Sequence, residues 1–101
     1  MISDVVDKNS MYHVLDDRNK EISREFMNNV GKLLGNGADF MVFEKNSMYY
    51  VRDEKFKEIS RDFTNNLGEF RNVSGNSINF KKNNQIFTRD EKLKEKARRF
   101  I

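Results

Sequence analysis

The side chains that most often carry out chemistry in proteins are scarce in this chain. His13 is the only histidine among 101 residues, and the absence of cysteine excludes disulfides and thiolate chemistry. No glycine-rich phosphate loop, dinucleotide-binding fingerprint or His-Glu-x-x-His run occurs. No spacing places His13 beside a nucleophile, as a Ser-His-Asp arrangement requires. We therefore predict a protein that is not an enzyme, with no catalytic residues and no cofactor.

Acidic pairs are the remaining candidates for metal ligands, and they recur at Asp16-Asp17, Asp53-Glu54 and Asp90-Glu91. A calcium loop alternates its oxygen ligands around a central glycine, and these pairs have neither feature. Aspartate also begins turns and helices by accepting backbone hydrogen bonds. The pairs therefore predict turns or helix starts, and we expect no metal site.

Positive charge is concentrated at the C-terminal end of the chain. Residues 1–80 hold 11 basic and 13 acidic side chains, whereas residues 81–101 hold eight and three, a sum of +5. Such a strip is typical of a solvated charged face, and it is also the pattern of a phosphate-binding surface. Its candidate binding residues are Lys82, Arg89, Lys94, Arg98 and Arg99.

The sequence is organised by an internal repeat with an offset of 37 residues. Residues 7–43 and 44–80 share 17 identities in 37 positions, and residues 44–64 and 81–101 share 10 in 21. This similarity indicates duplication of one supersecondary unit. We predict a single repeat domain over 1–101, with units at 7–43 and 44–80 and a partial unit at 81–101.

Each unit contains the signals of a β-hairpin. In the second unit an alternating segment, residues 39–43, is followed by the polar turn Lys45-Asn46-Ser47 and the aromatic-rich run Met48-Tyr49-Tyr50-Val51. Asparagine tolerates the left-handed backbone of tight turns, and aromatic and β-branched residues favour strands. One hairpin per unit is therefore expected.

The segments after the hairpins, 16–34, 53–70 and 90–101, can be read as helix or as strand plus loop. Phe56, Ile59 and Phe63 have helical spacing, whereas residues 57–63 also alternate as a strand would. Asparagine and glycine at 65–68 interrupt a long helix, but residues 89–100 favour helix by composition. The first interpretation gives an α+β array of ββα units, and the second gives an all-β fold.

A family resemblance favours the all-β interpretation. Residues 73–80, 84–90 and 93–96 resemble a β-propeller blade repeat, in which a glycine precedes the inner strand, the second strand ends in Asp, and a third strand follows Lys-Glu. The chain is more distantly similar to the tryptophan-glycine repeats of bacterial proteins. The resemblance implies tandem propeller-like repeats, of which fewer than three would need self-association or a partner to complete them.

Tyr12 and Tyr49 occupy equivalent positions and could line one weak site per unit. Packing is the favoured explanation, because the third unit has Ile86 at this position and because His13, Tyr50 and Phe87 likewise share one aromatic position. We expect a non-enzymatic protein-interaction module, an adaptor or inhibitor, that acts through a sheet edge or stacked face and forms homo-oligomers. The alternatives are a lectin-like glycan binder and a nucleic-acid binder that uses the basic C-terminal unit. No signal peptide or membrane span is evident in the sequence, so we expect a cytoplasmic protein.

Overall fold

A computed structural model describes residues 1–101 as an almost entirely β structure. Strands make up 61% of the chain and helix 8%, which confirms the predicted all-β class. Neither helix is long and apolar enough to cross a membrane. The elements in chain order are β1 (Asp4–Lys8), β2 (Met11–Leu15), β3 (Glu21–Phe26), α1 (Met27–Val30), β4 (Lys32–Asn36), β5 (Phe40–Lys45), β6 (Met48–Asp53), β7 (Glu58–Phe63), α2 (Thr64–Leu67), β8 (Glu69–Ser74), β9 (Ser77–Lys82), β10 (Gln85–Arg89) and β11 (Glu95–Phe100).

The strands form three antiparallel sheets in which chain neighbours are also spatial neighbours. The first sheet has three strands in the order β1-β2-β3, the second has four in the order β4-β5-β6-β7, and the third has four in the order β8-β9-β10-β11. The unit boundaries chosen in the sequence place the partial unit at the C-terminus. In the structure each four-stranded sheet begins with a strand, β4 or β8, that precedes its hairpin and lies in the preceding sequence unit. The sheet with three strands is therefore the first one.

Each sheet contains a two-residue hairpin turn at the same place in the repeat. Residues at both turn positions have positive φ, with 55° and 63° at Asn9-Ser10, 53° and 65° at Asn46-Ser47, and 52° and 62° at Asn83-Asn84. Positive φ at both positions is the type I′ geometry, whose twist matches that of the flanking strands. The predicted hairpins are therefore confirmed, and the turns set the register of β1 with β2, β5 with β6, and β9 with β10.

The predicted role of the acidic pairs as turn starts is also confirmed, although they begin tight loops rather than helices. The Asp53 carboxylate accepts hydrogen bonds from the backbone N–H groups of Lys55 and Lys57, both at 2.9 Å. Asp16 and Asp90 make the same contacts in the other two sheets. In each loop one residue adopts positive φ, and in the second sheet this is Phe56 at 65°.

The ambiguous segments form strands, each of which except the last is followed by a single helical turn. Glu58–Phe63 is β7, and the Asn-rich residues after it form the four-residue α2, which ends at Gly68 with a φ of 92°. The helix that composition favours in the third copy is not formed, because Glu95–Phe100 is the edge strand β11. Pairing with β10 stabilises this strand beyond the few tenths of a kcal/mol per residue that intrinsic propensity supplies. The ββα alternative is therefore not the observed arrangement.

Two hydrophobic cores lie between the three sheets. The first core joins the first and second sheets and includes Tyr12, Val14, Met41, Phe43 and Phe56. The second core joins the second and third sheets and is built from the same repeat positions, as in Tyr49, Val51, Ile78, Phe80 and Leu93. The two cores have the same design because each sheet presents equivalent residues to its neighbour.

Several positions on the outer faces of the array are polar where the equivalent core positions are apolar. On the first sheet, Asp4 and His13 occupy the positions of the core-facing Met41 and Tyr50, and Asn19 that of Phe56. On the third sheet, Ser77, Asn79 and Thr88 replace the buried Phe40, Val42 and Val51. Terminal units of stacked-repeat proteins need such a polar outer face, because no neighbour covers them.

Candidate functional site

The one sizeable concavity of the protein lies along β1, the free edge of the first sheet. It has a volume of about 540 Å³, and we call it the edge cleft. Its floor and walls come from β1, β2, α1 and β4. The residues that line it are Val5, Val6, Asp7, Tyr12, Met27, Lys32 and Leu33.

The edge cleft corresponds to a position that a strand occupies in each of the other sheets. β5 pairs with β4 on this side, and β9 pairs with β8, whereas β1 pairs only with β2. β4 and β8 also lie against each other, so a strand added to β1 would have β4 as its neighbour. In the structure no strand lies on the side of β1 that corresponds to β4 and β8, and the edge cleft lies there.

The backbone of β1 presents hydrogen-bonding groups to the edge cleft. Lys8 and Met11 flank the two-residue turn, so they form a hydrogen-bonded pair, and the pairs alternate from there. Val5 and Asp7 are therefore in non-hydrogen-bonded pairs, with their N–H and C=O groups directed away from β2. The Val5 N–H is capped by the Asp4 carboxylate, at 2.8 Å. The equivalent residues of β5, Val42 and Glu44, pair with β4.

A tyrosine hydroxyl holds β4 in place as the far wall of the edge cleft. Tyr12 Oη donates a hydrogen bond to the carbonyl of Gly31 at 3.0 Å and accepts one from the N–H of Leu33 at 2.9 Å. Gly31 has a φ of 89°, and a Cβ there would collide with the carbonyl oxygen of Glu44, so only glycine fits the turn into β4. The path of β4 along the cleft is therefore fixed both by the Tyr12 side chain and by the backbone conformation of Gly31.

Tyr49 makes the same bridge between the second and third sheets. Its hydroxyl donates to the carbonyl of Gly68 at 2.7 Å and accepts from the N–H of Phe70 at 3.1 Å. Burial raises the pKa of Tyr49 above its usual value, and the hydrogen bond from Phe70 opposes that rise. Both tyrosines are at most 5% exposed, so their rings pack and only Tyr12 borders an open site.

The edge cleft combines an apolar surface with two charged residues. Valine, methionine and leucine provide its apolar surface, and Asp7 and Lys32 also line it. No group of three or more His, Cys, Asp or Glu side chains is placed to hold a metal ion. Free backbone groups beside an apolar groove suit an extended peptide, which adds as a further strand and inserts alternate side chains.

His13 lies outside the edge cleft, on the outer face of the first sheet. Its Nδ1 is 2.7 Å from Glu21 Oε1, and Arg24 Nε donates to the other oxygen of Glu21 at 2.9 Å. The hydrogen bond with His13, followed by that with Arg24, lowers the pKa of Glu21, while desolvation opposes the shift. The equivalent aromatic residues, Tyr50 and Phe87, each lie under two arginine side chains.

Four of the candidate binding residues in the basic C-terminal unit are held by contacts within or next to the third sheet. Lys82 Nζ donates to the carbonyl of Asn66 at 3.1 Å, and Arg89 Nη1 donates to that of Leu93 at 2.9 Å. The remaining contacts are backbone hydrogen bonding of Lys94 to Asp90 and an ion pair between Arg98 and Glu95 at 2.9 Å. These residues do not converge on one pocket.

Arg98 and Arg99 lie on opposite faces of the third sheet. Arg98 is opposite Phe87 and lies over its ring at 5.3 Å, on the side that faces the second sheet. Arg99 is opposite Ile86, which is in turn opposite Lys81, on the outer face. Successive residues of a strand point to opposite faces, so the two arginines do not form a single patch.

The sequence predictions included Tyr12 but missed the other residues that line the edge cleft. The signal that could have located them is the repeat itself. The strand of Lys32–Asn36 recurs as Glu69–Ser74 at the 37-residue offset, so such a strand precedes the second and the third hairpin in their sheets. The open side of β1 could not be noticed before β4 and β8 were assigned, because their short mixed segments carry no alternation.

Comparisons with known proteins yielded no relatives. No protein-family model, no curated protein sequence and no solved structure matches this chain.

Proposed function

We propose that this protein is a non-enzymatic protein-interaction module that binds an extended segment of another protein by adding it to β1 as a fourth strand. In this proposal the three sheets are stacked propeller-like blades built from a tandem repeat. The bound segment completes the first blade. The observation that carries the proposal is the edge cleft, which lies where the equivalent strands β4 and β8 lie in the other sheets.

The energetics of strand addition support this site over the other free edges. An added strand would form backbone hydrogen bonds with Val5 and Asp7 and cover apolar surface that is now open, including Val6, which is 37% exposed. An acidic side chain caps one outward N–H group on β1 as on β3 and β7, since Asp4 accepts from Val5 at 2.8 Å and Asp62 from Phe63 at 2.7 Å. What distinguishes β1 is the apolar edge cleft beside it, which an added strand would cover.

The polar outer faces favour a partner of different sequence over a ring of identical chains. Closing a ring from two copies would bury Asp4, His13 and Asn79 against another sheet, and removing polar and charged side chains from water costs free energy. The proposed occupant of the edge is therefore a peptide segment. Self-association through β1 is an outcome that light scattering would detect as a mass above 12.0 kDa.

A selection from a random peptide library tests the proposal. We expect the full chain to enrich peptides that no longer bind the Asp7→Pro variant, because proline removes the N–H group that faces the cleft. This N–H does not pair with β2, so the sheet should remain intact. Asp7→Ala is the matched control, since it also removes the carboxylate but keeps the N–H.

Loss of binding in Asp7→Pro with binding retained in Asp7→Ala supports strand addition. Failure to enrich any peptide overturns the proposal, and so does enrichment of peptides that bind Asp7→Pro as tightly as the wild type. Far-ultraviolet circular dichroism of both variants verifies that the sheets are intact.

A second candidate function, nucleic-acid binding, is suggested by the outer face of the third sheet. Lys81 and Arg99 flank Ile86 on that face, and neither forms an ion pair. Phe87 lies on the opposite face, so only phosphate contacts are available there. Affinity for an oligonucleotide should then fall steeply between 50 and 200 mM salt, because phosphate contacts release counterions. Lys81→Glu should abolish that binding.

A further inference from the structure

In the two four-stranded sheets, the strand pairs that correspond to the edge cleft, β4 with β5 and β8 with β9, match residues of the same kinds. In the second sheet Lys32 of β4 lies opposite Glu44, and in the third sheet Glu69 of β8 lies opposite Lys81. The signs are reversed, but the charges are complementary in both. Opposite charges across a strand pair are favourable, and like charges are unfavourable. Asp7 is the equivalent residue of β1.

The next pair along the strands is apolar in both sheets. Leu33 lies opposite Phe43, and Phe70 lies opposite Phe80, with the latter ring centroids 6.2 Å apart in an edge-on arrangement. The equivalent residue of β1 is Val6, which is 37% exposed, whereas Phe43 and Phe80 are fully buried. Val6 lies opposite His13 of β2 and has no cross-strand neighbour on its open side.

From these pairings we propose that the segment bound at β1 runs antiparallel to it and carries a basic residue opposite Asp7, followed directly by a large apolar residue opposite Val6. This inference rests on the function proposed above and adds the chemistry of the partner. The order of the two residues follows from the strand direction, since Lys32 precedes Leu33 where β4 pairs with β5.

Lys32, the basic residue that lines the edge cleft, does not repel the basic residue of such a segment. Lys32 lies opposite Glu44, which in turn lies opposite Tyr49, a residue whose ring contacts Phe80 of the third sheet. Lys32 therefore points toward the third sheet. Asp7 is the charge that faces an incoming strand on the first sheet.

The test uses a labelled peptide with the sequence of residues 30–37, because this segment contains the strand that fills the same position in the second sheet. We expect it to bind the full chain two- to tenfold more tightly than a peptide with Lys32→Glu, measured by fluorescence anisotropy in low salt. In the Asp7→Lys variant the preference should reverse. Asp7→Asn should bind both peptides with similar affinity, and a Leu33→Asp peptide should bind the wild type at least tenfold more weakly.

The outcomes separate this inference from the function on which it depends. If the Lys and Glu peptides bind the wild type equally, or if their ratio is unchanged in Asp7→Lys, the assigned partner chemistry is wrong while strand addition stands. If neither peptide binds, the pairing template is wrong, and the library selection decides separately whether the edge binds peptides at all. If light scattering shows a dimer that Asp7→Pro dissociates, a second copy occupies the edge and the inference is overturned.

Discussion

Replacing Tyr49 with phenylalanine should destabilise the protein strongly while leaving its core packing unchanged. The ring is 4% exposed and lies 5.1 Å from the ring of Phe80, contacts that phenylalanine keeps. The hydroxyl is lost, and with it the partner of the Gly68 carbonyl at 2.7 Å and of the Phe70 N–H at 3.1 Å. An unpaired buried polar group costs about 1–3 kcal/mol. We expect the free energy of unfolding to fall by about 2–4 kcal/mol.

Tyr12→Phe is the matched comparison, because Tyr12 makes the same two contacts in the first sheet. Its partners, Gly31 and Leu33, lie beside the edge cleft, where water can replace the hydroxyl. Water-mediated hydrogen bonds recover much of a direct one. The loss in Tyr12→Phe should therefore be smaller, about 1–2 kcal/mol.

Urea unfolding followed by circular dichroism measures both losses. The denaturant slope must be the same in wild type and variants for the free energies to be compared. A larger loss in Tyr12→Phe than in Tyr49→Phe would refute the assignment of the cleft as the water-accessible side of the array. A loss below about 0.5 kcal/mol in Tyr49→Phe would refute the claim that its hydroxyl is the required partner of two buried backbone groups.

Three further substitutions test the local geometry. Gly68→Ala should lower the free energy of unfolding in urea by at least about 2 kcal/mol more than Gly75→Ala does. Both glycines have positive φ, but a Cβ at Gly68 would collide with a backbone carbonyl, whereas a Cβ at Gly75 has no neighbour within 4 Å. Hydrogen bonds from the backbone N–H groups of Lys20 and Arg18 lower the pKa of the Asp16 carboxyl below 3.8. The stabilisation that this carboxylate provides is therefore present above pH 3.8 and is lost as the pH falls. Asp16→Asn should therefore lose less stability than the wild type between pH 5 and about pH 3, as measured by thermal unfolding, and an unchanged acid profile would contradict this. Ser60→Ala removes a 2.7 Å hydrogen bond to a carbonyl of the third sheet and should cost about 0.5–1.5 kcal/mol, whereas no measurable cost would mean that this bond is formed equally well by water.

Local signals in the sequence were sufficient for the hairpins and the loops. Asn46 and Ser47 take up the left-handed turn that their residue types predict, and Asp53 accepts the backbone hydrogen bonds that make the next loop. These interactions span a few residues, so they depend little on the rest of the fold. Glu95–Phe100 is different, because its composition favours helix and only pairing with β10 makes it a strand.

The edge cleft could not be predicted in the same way. Tyr12 was a candidate because it recurs as Tyr49, but nothing in either residue indicates that one borders an open groove and the other is enclosed. The two tyrosines differ because the second and third sheets have β4 and β8 beside their hairpins, whereas no strand lies beside β1 on that side. The open side of β1 is a property of the sheet, and it becomes visible only when the pairing of all strands is known.

The sequence by itself determined a repeat of 37 residues, its hairpin turns and the scarcity of catalytic side chains, because identities, turn residues and composition are local properties of the chain. The tertiary structure decided that the ambiguous segments are strands, that the array ends in polar faces, and that the first sheet has a free edge beside an apolar cleft. These features arise from pairing and stacking between residues far apart in the chain, and their free energies exceed the local preferences that the sequence displays.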